Sequence, residues 1–134
     1  MTRLTRIVVA VAMVLVAASC GKGENRTTNR PHSTARITIL QPKAGDVVTT
    51  KTMTVRLRLS GGRIVKIVSQ RLTPDEGHVH VSIDGLLLTQ TFGLTQKLKA
   101  PKNGTHLLQA EFVAKDHGPF MPRVLSTLTF TVKR

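Results

Sequence analysis

The chain has 134 residues, with 20 Lys and Arg against 7 Asp and Glu, and a formal charge of +13 that attracts anions. Trp and Tyr are absent and Phe occurs four times, so stacking platforms for bases are nearly missing and any core must be built from Val, Leu and Ile. The single cysteine excludes an intramolecular disulfide and any cysteine-rich zinc cluster. The first element, Met1–Ser19, has a cationic head at Arg3 and Arg6 and an unbroken apolar run of 12 residues from Ile7 to Ala18. Spanning ~30 Å of hydrocarbon takes ~20 apolar residues, so the run predicts a cleaved secretory signal and no membrane span.

The end of that stretch, Ala17-Ala18-Ser19-Cys20, resembles the lipobox of bacterial lipoproteins, with Ala17 where Leu is common. The resemblance implies that Cys20 is lipidated and becomes the first residue of a mature chain anchored to the outer face of the cell membrane. A lone exported thiol calls for an explanation, and a thioether to lipid supplies one. Stable anchoring needs more than one acyl chain, which a diacylated or triacylated cysteine provides. Loss of Arg3 and Arg6 with the leader leaves 115 residues at a charge of +11. The polyanions such a surface would meet are anionic lipid headgroups and cell-wall polymers, with no nucleic-acid motif in the chain. Solvated charges that serve only solubility are the alternative.

Residues 20–35 are polar, with one proline and no apolar periodicity, and predict a disordered tether. Strand patterns begin at Arg36. Ile37, Ile39 and Leu40 make a short strand, ended at Gln41-Pro42 and followed by a turn at Lys43–Asp46. Thr52–Ser60 alternates Met53, Val55, Leu57 and Leu59 with Thr54, Arg56 and Arg58, as a strand with one wet face does. Gly61-Gly62 turns the chain into an apolar strand at Arg63–Val68. After a loop at Thr73–Gly77, His78–Asp84 alternates with Val79, Val81 and Ile83 inward. Asp84-Gly85 is a hairpin signal, and Leu86–Thr91 is the return strand. Further strands are expected at Leu94–Lys99, Thr105–Ala114 and Val124–Val132. A two-proline loop, Asp116–Pro122, precedes the last; its Phe120-Met121 either forms a contact surface or packs back on the body.

Seven or eight short strands with no helical periodicity predict an antiparallel β-sandwich at 36–134. The segments TILQPKAGDVV and NGTHLLQAEF resemble those of immunoglobulin-like bacterial domains, although the disulfide and core Trp of antibody domains are missing. GHVHVSIDG and NGTHLLQAEFVAKDHGPFMPRV are similar to stretches of a group of uncharacterised exported bacterial proteins. That group carries a His-x-His strand, a Gly-x-His turn and an Asp-His loop followed by prolines. The similarity supports the fold and singles out the histidines, but implies no activity.

On a strand, residues i and i+2 share a face about 6.6 Å apart, so His78 and His80 can converge on one ion. His117 in its loop is free to join them, and Asp116 offers oxygen. Imidazole suits zinc and copper. His106 shares its parity with the inward Leu108 and Phe112, so a four-histidine site would need it at a rim. The structural alternatives are ordinary strand histidines at 78 and 80, a turn cap at Asp116-His117, and a core-edge His106 bonded to a loop carbonyl. The chain lacks a G-x-S-x-G elbow, a P-loop and a His-Glu-x-x-His helix, and neighbours Asp75 and Glu76 point apart on an extended chain. The expectation is a non-enzymatic, membrane-tethered binding or scaffolding module, with a copper- or zinc-binding protein using His78, His80, His117 and His106 as the alternative.

Overall fold

The computed structural model describes residues 29–134; the leader at 1–19, Cys20 and the first part of the expected tether lie outside them. Among the described residues nine strands form: β1 (Arg36–Gln41), β2 (Val47–Val48), β3 (Thr52–Ser60), β4 (Arg63–Ile64), β5 (Glu76–Ile83), β6 (Leu86–Thr91), β7 (Thr95–Lys99), β8 (Gly104–Ala114) and β9 (Pro119–Val132). Three of them make a sheet in the order β1-β3-β7. The larger sheet runs β2-β9-β8-β5-β4, with β6 also paired to β5. The body is all-β as expected, but the larger sheet is mixed. β2 runs parallel to β9 and β4 parallel to β5, each over two residues, while the long ladders are antiparallel.

Alternation decides which side chains are buried. Met53, Val55 and Leu57 of β3 are buried and Arg56 and Arg58 are exposed, as period two requires. Both sheets turn their apolar side chains into one core, in which Val79, Val81, Leu108 and Ala110 are fully buried. Three of the four phenylalanines, Phe112, Phe120 and Phe130, fill this otherwise aliphatic core. The Asp84-Gly85 turn has positive φ at both residues, 52° and 80°, the two-residue geometry whose twist matches its strands.

Three expectations need correction. The apolar run Arg63–Val68 is strand only at Arg63–Ile64. After the Val65 N–H donates to the Gly77 carbonyl, the chain leaves the ladder, and Ile67 and Val68 are 68% and 55% exposed. A continuous apolar run has no period to fix its state. The proline-containing loop is largely strand, since β9 starts at Pro119. A bulge lets Val113 pair with Pro119 and Phe112 with Val124, which frees Phe120 to pack on Phe112 at 5.3 Å between rings. β2 covers β9 only at Thr131 and Val132, so the missing Pro122 N–H takes no bond from that edge.

The third concerns residues 30–35, which are seated on the body. Ser33 and Ala35 are buried, and the Asp75 carboxylate accepts hydrogen bonds from the Ser33 hydroxyl and the Thr34 N–H, both at 2.7 Å. These bonds hold the Asp75 carboxyl below its usual range, the Ser33 bond most of all.

Candidate metal centre

The site is built on the face of β5 opposite the core. Val79, Val81 and Ile83 point inward, so His78 and His80 project outward together. Across the ladders His78 lies opposite Val113, and His80 lies opposite Glu111 on β8 and Gln90 on β6. Gly77 makes the close crossing possible, because a Cβ there would stand 1.8 Å from the Val113 carbonyl oxygen.

His117 arrives from the turn between β8 and β9. It adopts the left-handed conformation, φ 66°, which costs a non-glycine residue roughly 1 kcal/mol or more. The turn is closed by hydrogen bonds from the His117 N–H to the Ala114 carbonyl, 3.0 Å, and from the Ala114 N–H to the Gly118 carbonyl, 2.9 Å. Asp116 accepts from the Gly118 N–H at 3.0 Å. The Arg30 guanidinium then clamps the turn, donating to both Asp116 oxygens at 2.5 and 2.9 Å and to the Pro119 carbonyl at 2.7 Å. That charge-assisted fork pulls the Asp116 carboxyl down to about 2.

The three imidazoles converge. His78 Nε2 lies 3.1 Å from His80 Nε2 and 2.9 Å from His117 Nδ1, and the third side is 3.4 Å. The point equidistant from all three is about 1.8 Å from each, just inside the ~2.0–2.1 Å zinc–imidazole bond. His78 Nε2, His80 Nε2 and His117 Nδ1 would hold an ion at close to ordinary bonding distance. Without a cation the triangle is frustrated. One proton can bridge His78 Nε2 to a neighbour, but three mutual contacts cannot all be satisfied, and at least one pair opposes lone pair to lone pair or N–H to N–H.

His78 is fully buried, and its Nδ1 has no hydrogen-bond partner among the described residues. An unsatisfied buried polar atom costs about 1–3 kcal/mol. Phe92, just past β6, stands against it at 5.5 Å between rings. Burial, then the adjoining His80 and His117, pushes the His78 imidazole down to about 4. His80 is lowered too, by burial first and His117 second. Both are thus neutral at neutral pH, the state in which imidazole is a ligand. His78, His80 and His117 could hold a metal ion.

His106 is not part of this cluster. It stands at the start of β8 over Phe130, with Nδ1 2.6 Å from an Asp84 oxygen and Nε2 2.8 Å from the Lys102 carbonyl. The Asp84 carboxylate raises its pKa, with the carbonyl adding to the effect. It is the core-edge histidine of the structural alternative. Asp116 serves the turn and is held by Arg30, so the expected oxygen ligand is engaged elsewhere. Nothing in the polar stretch around Arg30 distinguishes it from a spacer, and no pattern marks Phe92. The need for a cation beside Asp116 was the one available signal.

Neither a protein-family profile nor a curated protein matches the chain. Among solved structures, a crystallised engineered protein is similar over 75% of this chain at 16% identity and a TM-score of 0.49. The chain spans 20% of the length of that protein.

Proposed function

We propose that this is an exported, lipid-anchored protein whose immunoglobulin-like β-sandwich binds one copper or zinc ion through His78, His80 and His117, without catalysing a reaction. The observation that carries the reading is the triangle of ring nitrogens, with sides of 2.9, 3.1 and 3.4 Å, built around a buried histidine. Three neutral imidazoles suit Zn²⁺ and copper, and disfavour Mg²⁺ or Ca²⁺, which take oxygen ligands. The nearby carboxylates of Glu111 and Asp116 are held by Arg123 and Arg30, which supports a binding role over acid–base work.

Export and anchoring at Cys20 rest on the apolar leader and the lipobox-like end. Metabolic labelling with a fatty acid tests them: loss of label and of membrane attachment in Cys20→Ser is expected, and equal attachment of that variant defeats the anchor. The immunoglobulin-like reading is supported by two sheets sharing one core.

Calorimetric titration of the chain from residue 20 onward with Zn²⁺ and Cu²⁺ tests the site. One equivalent should bind well below about 100 μM. The His78→Ala/His80→Ala variant should lose that binding while keeping its strand spectrum. Binding that survives the double substitution removes the proposal.

A further inference from the structure

We infer that the outer face of the sheet β1-β3-β7 is a docking surface for an anionic lipid bilayer. These strands turn Ile37, Ile39, Met53, Val55 and Leu57 to the core. Their opposite face carries Arg36, Arg56, Arg58, Lys97 and Lys99, all exposed. No Asp or Glu occurs in the three strands. Glu76, Asp84, Glu111 and Asp116 each pair with a basic side chain outside these strands, while Asp46 and Asp75 accept hydrogen bonds from the Lys43 N–H and from Ser33 and Thr34.

The register spreads this charge evenly. Arg58 stands opposite Thr38, Arg56 opposite Thr95, Lys97 opposite Thr54 and Lys99 opposite Thr52. Each cation faces a short hydroxyl across the ladder, so the destabilising placement of like charges directly opposite one another is avoided. The result is basic groups spaced by about 6.6 Å along a strand and about 7–8 Å diagonally across the ladder. A polymer strand is best held in a groove and a nucleic acid on stacking rings, whereas this face is a sheet surface bearing Thr between its cations and no aromatic residue. Distributed positive charge on a sheet matches a plane of anionic headgroups. The path of the chain agrees with this. Arg30, which makes the first contact among the described residues, is ten positions after Cys20, a reach of at most about 35 Å.

The test uses the chain from residue 20 with Cys20→Ser, which holds every strand and core residue described and no acyl group. Sedimentation is measured with vesicles of phosphatidylcholine alone and with about one third phosphatidylglycerol. Binding to the anionic vesicles, weakening with salt, is expected, with none to the neutral ones. Each basic residue near such a surface contributes about fivefold to partitioning, so R56Q/R58Q/K97Q should lose about 100-fold. K43Q/K66Q/R71Q, with the same charge change off this face, should stay within a few-fold of the parent. Equal losses in both triple variants, or no preference for anionic vesicles, would overturn the inference. So would tighter, face-dependent binding to a soluble sulfated polysaccharide, which would make the partner a polymer. His78→Ala/His80→Ala should bind vesicles normally, so this result stands or falls apart from the metal site.

Discussion

Replacing Arg30 by Gln removes the fork that fixes the His117 turn while leaving all three candidate ligands in place. The displacement of the Asp116 carboxyl from 3.8 to about 2 corresponds to roughly 2 kcal/mol between its charged and neutral forms. The two side chains are 14% and 15% exposed at a rim, and solvent screening reduces the worth of the pair to about 1–2 kcal/mol. The carboxyl pKa is depressed on folding. Its contribution is therefore full above about 3.8 and is lost as pH falls through about 2. Urea denaturation should show Arg30→Gln less stable by about 1–2 kcal/mol at pH 7, with the gap closing between about pH 4 and pH 2. Metal affinity should fall as well. Without the clasp, His117 leaves its left-handed conformation for part of the time, and the apparent affinity drops in proportion, by about 5- to 30-fold. Calorimetry with Zn²⁺ at pH 7 reads this directly. A variant that loses stability but binds zinc as the parent does would refute the link between clasp and site, and a stability gap that persists at pH 2 would refute the electrostatic account.

Metal binding should persist into mild acid, because the His78 imidazole is held down to about 4 and His80 is also lowered. Affinity measured from pH 6 to 5 should fall far less than the about 500-fold that three ordinary imidazoles would give. His106 behaves in the opposite way: Asp84 raises its pKa, so this contact stabilises fully below about 6.5 and the contribution is lost as pH rises through the raised value. An NMR titration should place its midpoint above that of a free imidazole, Asp84→Asn should bring it back, and His106→Gln should leave zinc affinity unchanged. Gly77→Ala drives a methyl group into the Val113 carbonyl and should cost about 3 kcal/mol or more in thermal or urea unfolding. A stable Gly77→Ala protein would mean that β5 and β8 do not cross as closely as described.

The all-strand body is legible in the sequence wherever one face of a strand is wet. Thr52–Ser60 and His78–Asp84 alternate, and β3 and β5 follow them within a residue or two. Arg63–Val68 misleads because an apolar run without period carries no sign of whether a partner strand exists. Asp116–Pro122 misleads because prolines read as loop, although an uncovered edge accepts them. The site shows the same division. Parity alone places His78 and His80 together and turns His106 the other way. Bringing His117 to them depends on a left-handed turn and on Arg30, 86 residues away from its partner Asp116, and such long-range pairing leaves no local trace.

The three imidazoles hang on the side of β5 turned away from Val79, Phe112 and Phe130. The fold is thus complete before any ion arrives. Zinc fingers collapse when stripped, because their ion does the work of a hydrophobic interior. On the proposed reading, a chelator should remove the ion and leave the strand body folded, so that loading and release are reversible.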